Sequence, residues 1–208
     1  MIKRIIFDID NTLIDFPKNY EEGYQSVLDK HHINKKAMEL YDAIGVYEEC
    51  GKFNNYDKDK LLKVINEELN LNLDNSFIDD YFTMYNKLIT EVSDGIKDTL
   101  DYLSKKYELV TLSNWFTFSQ ECRLKLAGID KYFNKIYGTD IIPMKPNKES
   151  FMSVIGDNKI NECLMIGDSI DMDIKVPYEM GMKVYYLSKG KKSNYPSIEK
   201  IEDLKKIL

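Results

Sequence analysis

The sequence predicts an α/β protein, built as a doubly wound parallel sheet with an inserted all-helical segment. Short apolar, β-branched runs alternate with amphipathic stretches from residue 93 onward, whereas residues 17–92 show helical spacing and no strand signal. Alternating strands and helices imply right-handed crossovers between parallel strands. We therefore expect a core unit of residues 1–16 and 93–208, interrupted by a helical insertion at 17–92.

The first predicted element is a buried strand from Ile2 to Ile9, which is rich in β-branched residues. In the insertion, apolar side chains recur at intervals of three and four, the spacing of one helix face. One such helix contains Leu61, Leu62, Val64, Ile65 and Leu69, and the next contains Phe77, Ile78, Tyr81, Phe82, Tyr85, Leu88 and Ile89. The polar segment from Gly51 to Asp57 is typical of a loop, so we expect Phe53, Asn54, Asn55 and Tyr56 to be exposed.

After the insertion, helices and strands alternate. One helix carries Ile96, Leu100 and Leu103 on its apolar face, another ends near Gly128, and a third begins at Asn147. The predicted strands are Glu108–Leu112, Lys135–Gly138, Cys163–Ile166 and Lys183–Leu187. Together with the first strand, these segments complete the predicted sheet.

Composition excludes several classes of protein. A net charge of −6 and a pI near 5.1 argue against a nucleic-acid-binding surface, which needs clustered excess base. No apolar run approaches the length of a membrane span. The three cysteines, Cys50, Cys122 and Cys163, form no CxxC pair, which favours a reducing cytoplasm over a disulfide framework or a zinc site. The oligomeric state stays open.

Polar side chains follow the predicted strands at the point where each one ends. They are Asp8, Asp10 and Thr12 after the first strand, Ser113 and Asn114 after the second, Lys145 after the third and Asp168 after the fourth. Open parallel sheets bind ligands in the crevice outside these strand ends. Two neighbouring carboxylates such as Asp8 and Asp10 repel each other, so they indicate a bound cation or unequal protonation.

The same residues form four motifs in a fixed order: DIDNT at Asp8–Thr12, LSN at Leu112–Asn114, KPN at Lys145–Asn147 and GDSIDMD at Gly167–Asp173. In this order they resemble the haloacid dehalogenase (HAD) superfamily. The resemblance implies a Mg²⁺-dependent phosphatase that hydrolyses a small phosphate ester. It also implies that the helical insertion is an all-helical C1 cap, which selects the leaving group.

The resemblance implies a role for each site residue. Asp8 is the expected nucleophile, which forms an aspartyl-phosphate, and Asp10 is the expected acid and base. Asp8, Asp168 and the main-chain carbonyl of Asp10 would hold Mg²⁺. Lys145 would neutralise the nucleophile, Ser113 would donate to the phosphoryl group, and Asn114 would bind substrate. Thr12 and Asp173 are expected to support the site.

Asp10 bears on the type of reaction. An alkoxide that leaves a phosphate ester must be protonated, whereas a halide needs no acid, and dehalogenases of the family lack this residue. Phosphate-ester hydrolysis is therefore favoured. The alternative enzyme is a phosphomutase of the β-phosphoglucomutase type, which uses the same two aspartates. Two non-enzymatic alternatives are a receiver-like phospho-aspartate switch and a catalytically silent scaffold on the same fold.

Four further features invite interpretation. The adjacent pair His31-His32 diverges on a helix, so we expect surface placement near a helix end and no metal. Trp115 and Phe116 are expected either to anchor the core or to form an aromatic wall for the leaving group. Met172 and Val176-Pro177 depart from the common family pattern, which predicts an altered loop and leaves open whether Asp171 or Asp173 supports the metal site.

Overall fold

A computed structural model describes residues 1–49, 56–88 and 92–208. The strands are β1 (Arg4–Phe7), β2 (Glu108–Leu112), β3 (Lys135–Tyr137), β4 (Cys163–Gly167), β5 (Lys183–Leu187) and β6 (Ser197–Ile198). The helices are α1 (Tyr20–Lys30), α2 (Ala37–Glu49), α3 (Lys58–Leu69), α4 (Asn75–Tyr85), α5 (Asp94–Ser104), α6 (Thr117–Leu126), α7 (Lys148–Val154), α8 (Lys175–Glu179) and α9 (Leu204–Ile207).

The strands of the described residues form one parallel sheet in the order β3-β2-β1-β4-β5-β6. β1 lies between β2 and β4, with Ile6 paired to Val110 on one side and to Met165 on the other. Its side chains alternate between two cores: Ile5 and Phe7 pack on one face of the sheet, and Ile6 packs on the other. The predicted fold class is therefore confirmed, and β6 is an edge strand that the sequence did not indicate.

The insertion between β1 and α5 contains the helices α1 to α4. Each of its later helices begins at a residue whose side chain accepts a main-chain hydrogen bond, as helix N-caps do. Asp57 accepts from the nitrogens of Asp59 and Lys60, and Asp74 accepts from that of Ser76. α3 ends at Asn70, which adopts a left-handed conformation with φ of 53°.

The insertion has a hydrophobic cluster of its own, and the core unit completes it. Buried residues of α1 to α4 pack together with Trp115, Phe116 and Met144, which come from loops at the carboxyl end of the sheet. Tyr56 is also buried here, at 3% exposure, and its nitrogen donates to the Thr139 oxygen at 2.7 Å. The prediction that Tyr56 is exposed is wrong, because its ring packs between Trp115 and Phe116.

Several smaller expectations can be placed. Phe53, Asn54 and Asn55, with Cys50 and Ile89, lie outside the described residues. His31 follows α1 and contacts Asp80 at 2.9 Å, whereas the neighbouring His32 is exposed. Every helix in the described ranges is too short or too polar to cross a bilayer.

Candidate active site

The predicted site residues gather around one cavity of about 330 Å³ at the carboxyl ends of β1, β2 and β4. The sheet topology explains this convergence, because β2, β1 and β4 are adjacent and all run in the same direction. The lining includes Asp8, Asp10, Ser113, Asn114, Lys145, Asp168 and Asp173.

Asp8 directly follows β1 and is almost fully buried. Its main-chain nitrogen donates to the Ile166 oxygen at 2.9 Å, which continues the pairing of β1 with β4 past the strand end. Its two carboxylate oxygens have different partners. Thr12 Oγ1 donates to Oδ2 at 2.8 Å, and Lys145 Nζ donates to Oδ1 at 2.7 Å. The Asp8 carboxylate is therefore fixed in orientation.

Lys145 is buried between two carboxylates. Its Nζ donates to Asp8 at 2.7 Å and to Asp173 at 2.6 Å. Burial alone would lower the pKa of Lys145, but the charges of Asp173 and Asp8 outweigh that effect and raise the pKa above its ordinary value. Lys145 therefore remains an ammonium.

Asn114 holds the main chain of Lys145 rather than pointing freely into the cavity. Its Oδ1 accepts from the Lys145 nitrogen at 2.7 Å, and its Nδ2 donates to the Lys145 oxygen at 2.9 Å. This pair of bonds ties the end of β2 to the loop after β3. We predicted that Asn114 binds substrate, but both polar atoms of its side-chain amide already have partners within the protein.

Three carboxylates lie close together in the site. Asp8, Asp168 and Asp173 each place an oxygen within 4.8 Å of the others. Burial raises the pKa of Asp8 to about 7, although Lys145 opposes the shift. Burial also raises the pKa of Asp168, with a further contribution from the charge of Asp8. Three acids, two of them buried, against one ammonium leave uncompensated negative charge, which suits a hard divalent cation with oxygen ligands.

The fourth motif shapes this cluster through its backbone. Asp173 Oδ2 accepts from the Ser169 nitrogen at 3.1 Å, within a single π turn at Ile170–Ile174. A Cβ at position 167 would collide with the Asp173 carboxylate, so Gly167 is required for that approach. The structure places Asp173 in the cluster and leaves Asp171 exposed.

Asp10 also lines the cavity and belongs to a second polar group. Its Oδ2 accepts from Gln120 Nε2 at 2.7 Å, and its Oδ1 lies 2.7 Å from Arg123 Nη1. Gln120 Nε2 also donates to Ser113 Oγ at 2.8 Å. The sequence analysis missed Gln120 and Arg123. A pattern that could have indicated them is the presence of two polar residues, three positions apart, on the face of α6 that also carries the apolar Leu124.

Aromatic residues form the remaining wall. Trp115, Tyr85, Phe16 and Tyr41 line the cavity and also line an adjoining one of about 280 Å³, which reaches Tyr24 and Tyr81 in the insertion. Trp115 combines both predicted roles, since it is 3% exposed and packs on Tyr56 and Phe82. Among the described residues that line the two cavities, Lys145 is the only basic one.

Comparison with known families agrees with this geometry. The family model described as haloacid dehalogenase-like hydrolase matches residues 5–187, which includes all four motifs. The chain belongs to this family. As a HAD-like hydrolase, it is a member of a group whose enzymes generally use Mg²⁺.

Several named relatives of this HAD-like hydrolase are phosphatases. It is 27% identical over 202 residues to glyceraldehyde 3-phosphate phosphatase of Methanocaldococcus jannaschii, covering 92% of this chain and 87% of that protein. It is 25% identical over 191 residues to pyrimidine 5′-nucleotidase PynA of Streptococcus pneumoniae, covering 83% and 78%. The enzyme class predicted from the sequence is confirmed: the HAD-like hydrolase is a phosphatase.

Solved structures share the whole fold. The crystal structure of YfnB from Bacillus subtilis, bound to magnesium, superposes with a TM-score of 0.76 at 20% identity and covers 100% of this chain and 98% of that one. A HAD phosphatase from Thermococcus onnurineus gives a TM-score of 0.74 at 20% identity, covering 99% and 97%.

Proposed function

We propose that the protein hydrolyses a small phosphomonoester with Mg²⁺, through an aspartyl-phosphate formed on Asp8. The observation that carries the proposal is the fixed Asp8 carboxylate. It lines the cavity beside the Lys145 ammonium and two further acids, and Asp10 lines the same cavity. In this reading the helical insertion at 17–92 acts as the cap, and the core unit of 1–16 and 93–208 carries the chemistry.

The reaction takes place in two displacements. An oxygen of Asp8 attacks phosphorus, the bond from phosphorus to the ester oxygen breaks, and Asp10 gives its proton to the departing alkoxide. A water molecule then attacks the phosphoryl group on Asp8 and gives a proton to Asp10. Inorganic phosphate leaves, and both carboxyl groups return to their starting states.

Charge decides whether the first displacement can occur. A phosphate dianion about 4 Å from one carboxylate meets a gross repulsion of about 8 kcal/mol at an effective dielectric of 20. Lys145 offsets part of this cost. Asp8 and Asp168 place carboxylate oxygens within 4.8 Å of each other, and with the main-chain carbonyl of Asp10 they would hold Mg²⁺, which when bound would supply positive charge to the phosphoryl oxygens. Asp173 supports Lys145.

The remaining residues orient these groups. Thr12 fixes the nucleophile through its bond to Asp8, and Ser113, which lines the cavity, would donate to a phosphoryl oxygen. Asn114 acts through Lys145, whose main chain it holds from both sides. Its contribution to substrate binding is therefore indirect.

The leaving group is an uncharged alcohol with a face that stacks on aromatic rings. The two adjoining cavities offer aromatic walls, and Asp42 and Glu48 add negative charge at the rim. A second anion on the substrate would find no described basic partner apart from Lys145, which the nucleophile needs. Nucleoside monophosphates and sugar phosphates meet these requirements.

A substrate screen tests the proposal. Purified protein is assayed for phosphate release from nucleoside monophosphates, sugar phosphates and glycolytic acid phosphates, with Mg²⁺ and with EDTA. Activity should require Mg²⁺, and phosphate should appear once per substrate consumed, which separates hydrolysis from mutase action.

Asp8→Asn should abolish phosphate release, whereas Asp171→Asn, an exposed acid of the fourth motif, should retain it. Circular dichroism and a thermal melt establish that both variants fold. Wild-type turnover by folded Asp8→Asn would remove the nucleophile from the proposal.

A further inference from the structure

Helix α6 carries a polar pair that is completely buried. Gln120 and Arg123 are both 0% exposed. Arg123 Nη1 donates to Gln120 Oε1 at 2.9 Å and lies 2.7 Å from Asp10 Oδ1. Gln120 Nε2 donates to Asp10 Oδ2 at 2.7 Å and to Ser113 Oγ at 2.8 Å. Both carboxylate oxygens of Asp10 are therefore contacted from the α6 side.

The Arg123 guanidinium depends heavily on Asp10. Its Nε and Nη2 find no hydrogen-bond partner among the described residues, although a buried guanidinium normally satisfies its donors. The ring of Tyr85, from α4 of the cap, lies 5.2 Å from Arg123 Cζ and helps to cover it. Burial alone would lower the pKa of Arg123, but an ionised Asp10 raises it above its ordinary value.

We infer that Arg123 and Gln120 are positioning residues that aim the Asp10 carboxyl group at the leaving-group oxygen and stabilise the anion left after proton transfer. This inference rests on the proposed function, in which Asp10 protonates the alkoxide. When the bond from phosphorus to the ester oxygen breaks, its electron pair passes to that oxygen, and the proton of Asp10 follows. Asp10 then carries a negative charge 2.7 Å from the fully buried guanidinium of Arg123.

The arrangement also explains why the pair lies on α6. Residues three apart on a helix share a face, so Gln120 and Arg123 reach Asp10 together. Because Gln120 contacts Ser113 as well as Asp10, it links the acid to the residue that faces the phosphoryl group. The expected consequence is a defect in leaving-group departure rather than in substrate binding.

Two substrates with different leaving groups test the inference. p-Nitrophenolate leaves as a stable anion and needs little help from an acid, whereas an alkyl phosphate such as uridine 5′-monophosphate, or the best alkyl ester of the screen, needs a proton. kcat/KM is the readout, because it covers the steps up to leaving-group departure. Arg123→Met should lower kcat/KM for the alkyl ester by about 100-fold and for p-nitrophenyl phosphate by less than about threefold.

Three variants separate the outcomes. Arg123→Lys keeps the charge and should recover part of the alkyl activity. Asp10→Asn with Arg123→Met should be no slower than Asp10→Asn alone, because the arginine acts through Asp10. Ser119→Ala, on the same buried face of α6 but without contact to Asp10, should not separate the two substrates.

Equal losses on both substrates, or an undiminished effect of Arg123→Met in the Asp10→Asn background, would overturn the inference. If Asp10→Asn itself fails to separate the substrates, the acid role in the proposed function is wrong instead. Should Arg123→Met not fold, Gln120→Met and Arg123→Lys are measured in its place. Both must then show the selective loss on the alkyl ester.

Discussion

Replacing Lys145 with Met should destabilise the protein strongly and in a pH-dependent way. The ammonium lies 2.7 Å from an Asp8 oxygen and 2.6 Å from an Asp173 oxygen, and all three side chains are buried. Each contact is worth about 6 kcal/mol of gross attraction at an effective dielectric of 20, and desolvation of the three charges cancels much of it. Removal of one partner from a buried pair leaves a net loss of roughly 3–5 kcal/mol.

The pH dependence follows from the two acids that remain. Burial already raises the pKa of Asp8 to about 7, and loss of the ammonium raises it further. A carboxyl group whose pKa is higher in the folded state holds its proton more tightly there, so the penalty shrinks as the pH falls below that pKa. The loss should therefore be larger near pH 8 than near pH 5.5.

Urea unfolding at the two pH values, without divalent cations, measures this difference. The matched control is Lys105→Met. Its ion pair with Asp101 is shorter, at 2.5 Å, but both side chains are more than half exposed, so no resolvable change is expected. A loss below about 1 kcal/mol for Lys145→Met, or an equal loss at both pH values, would refute the view that burial rather than distance sets the value of this contact.

Two further predictions concern the cation and a glycine. Mg²⁺ affinity, measured by titration calorimetry, should rise with pH up to about pH 7 and then level off. Below that value the cation must displace the proton of Asp8, at a limit of about tenfold per pH unit; an affinity that is flat from pH 5.5 to 8 would contradict this. Gly138→Ala should lower the free energy of unfolding by roughly 1–3 kcal/mol, because the new Cβ would collide with main-chain atoms of Trp115 and Thr117. Gly45→Ala in α2, with no described atom within 4 Å of the added methyl, should instead raise the free energy of unfolding by up to about 1 kcal/mol. Urea unfolding of both glycine variants measures these changes.

The centre of the sheet was predictable because its strands are buried on both faces. A parallel strand between two helical layers carries a continuous apolar run, and Cys163–Gly167, buried along its whole length, shows this plainly. β6 was not predicted because Ser197–Ile198 is too short to show a strand pattern and pairs only at the edge of the sheet. The first strand was predicted to be longer, Ile2–Ile9, than the observed β1, Arg4–Phe7, because apolar residues continue into the turn after β1.

The site was predictable where the backbone alone brings residues together. Asp8, Ser113 and Asp168 follow strands that the sheet places side by side, so chain order and strand polarity were sufficient. Gln120 and Arg123 could not be found in this way, since they reach Asp10 from within a helix. Their placement depends on tertiary packing of α6, which periodicity does not encode.

The hydrophobic cluster of the insertion has a consequence for grafting experiments. Trp115, Phe116 and Met144 belong to the sheet unit by sequence, yet they fill the interior formed by the four inserted helices. A helical segment transplanted from another family member would have to accommodate those three side chains before it could bring its own selectivity. A chimera should therefore take from the donor both the helices and the loops of its sheet unit that correspond to those carrying Trp115, Phe116 and Met144.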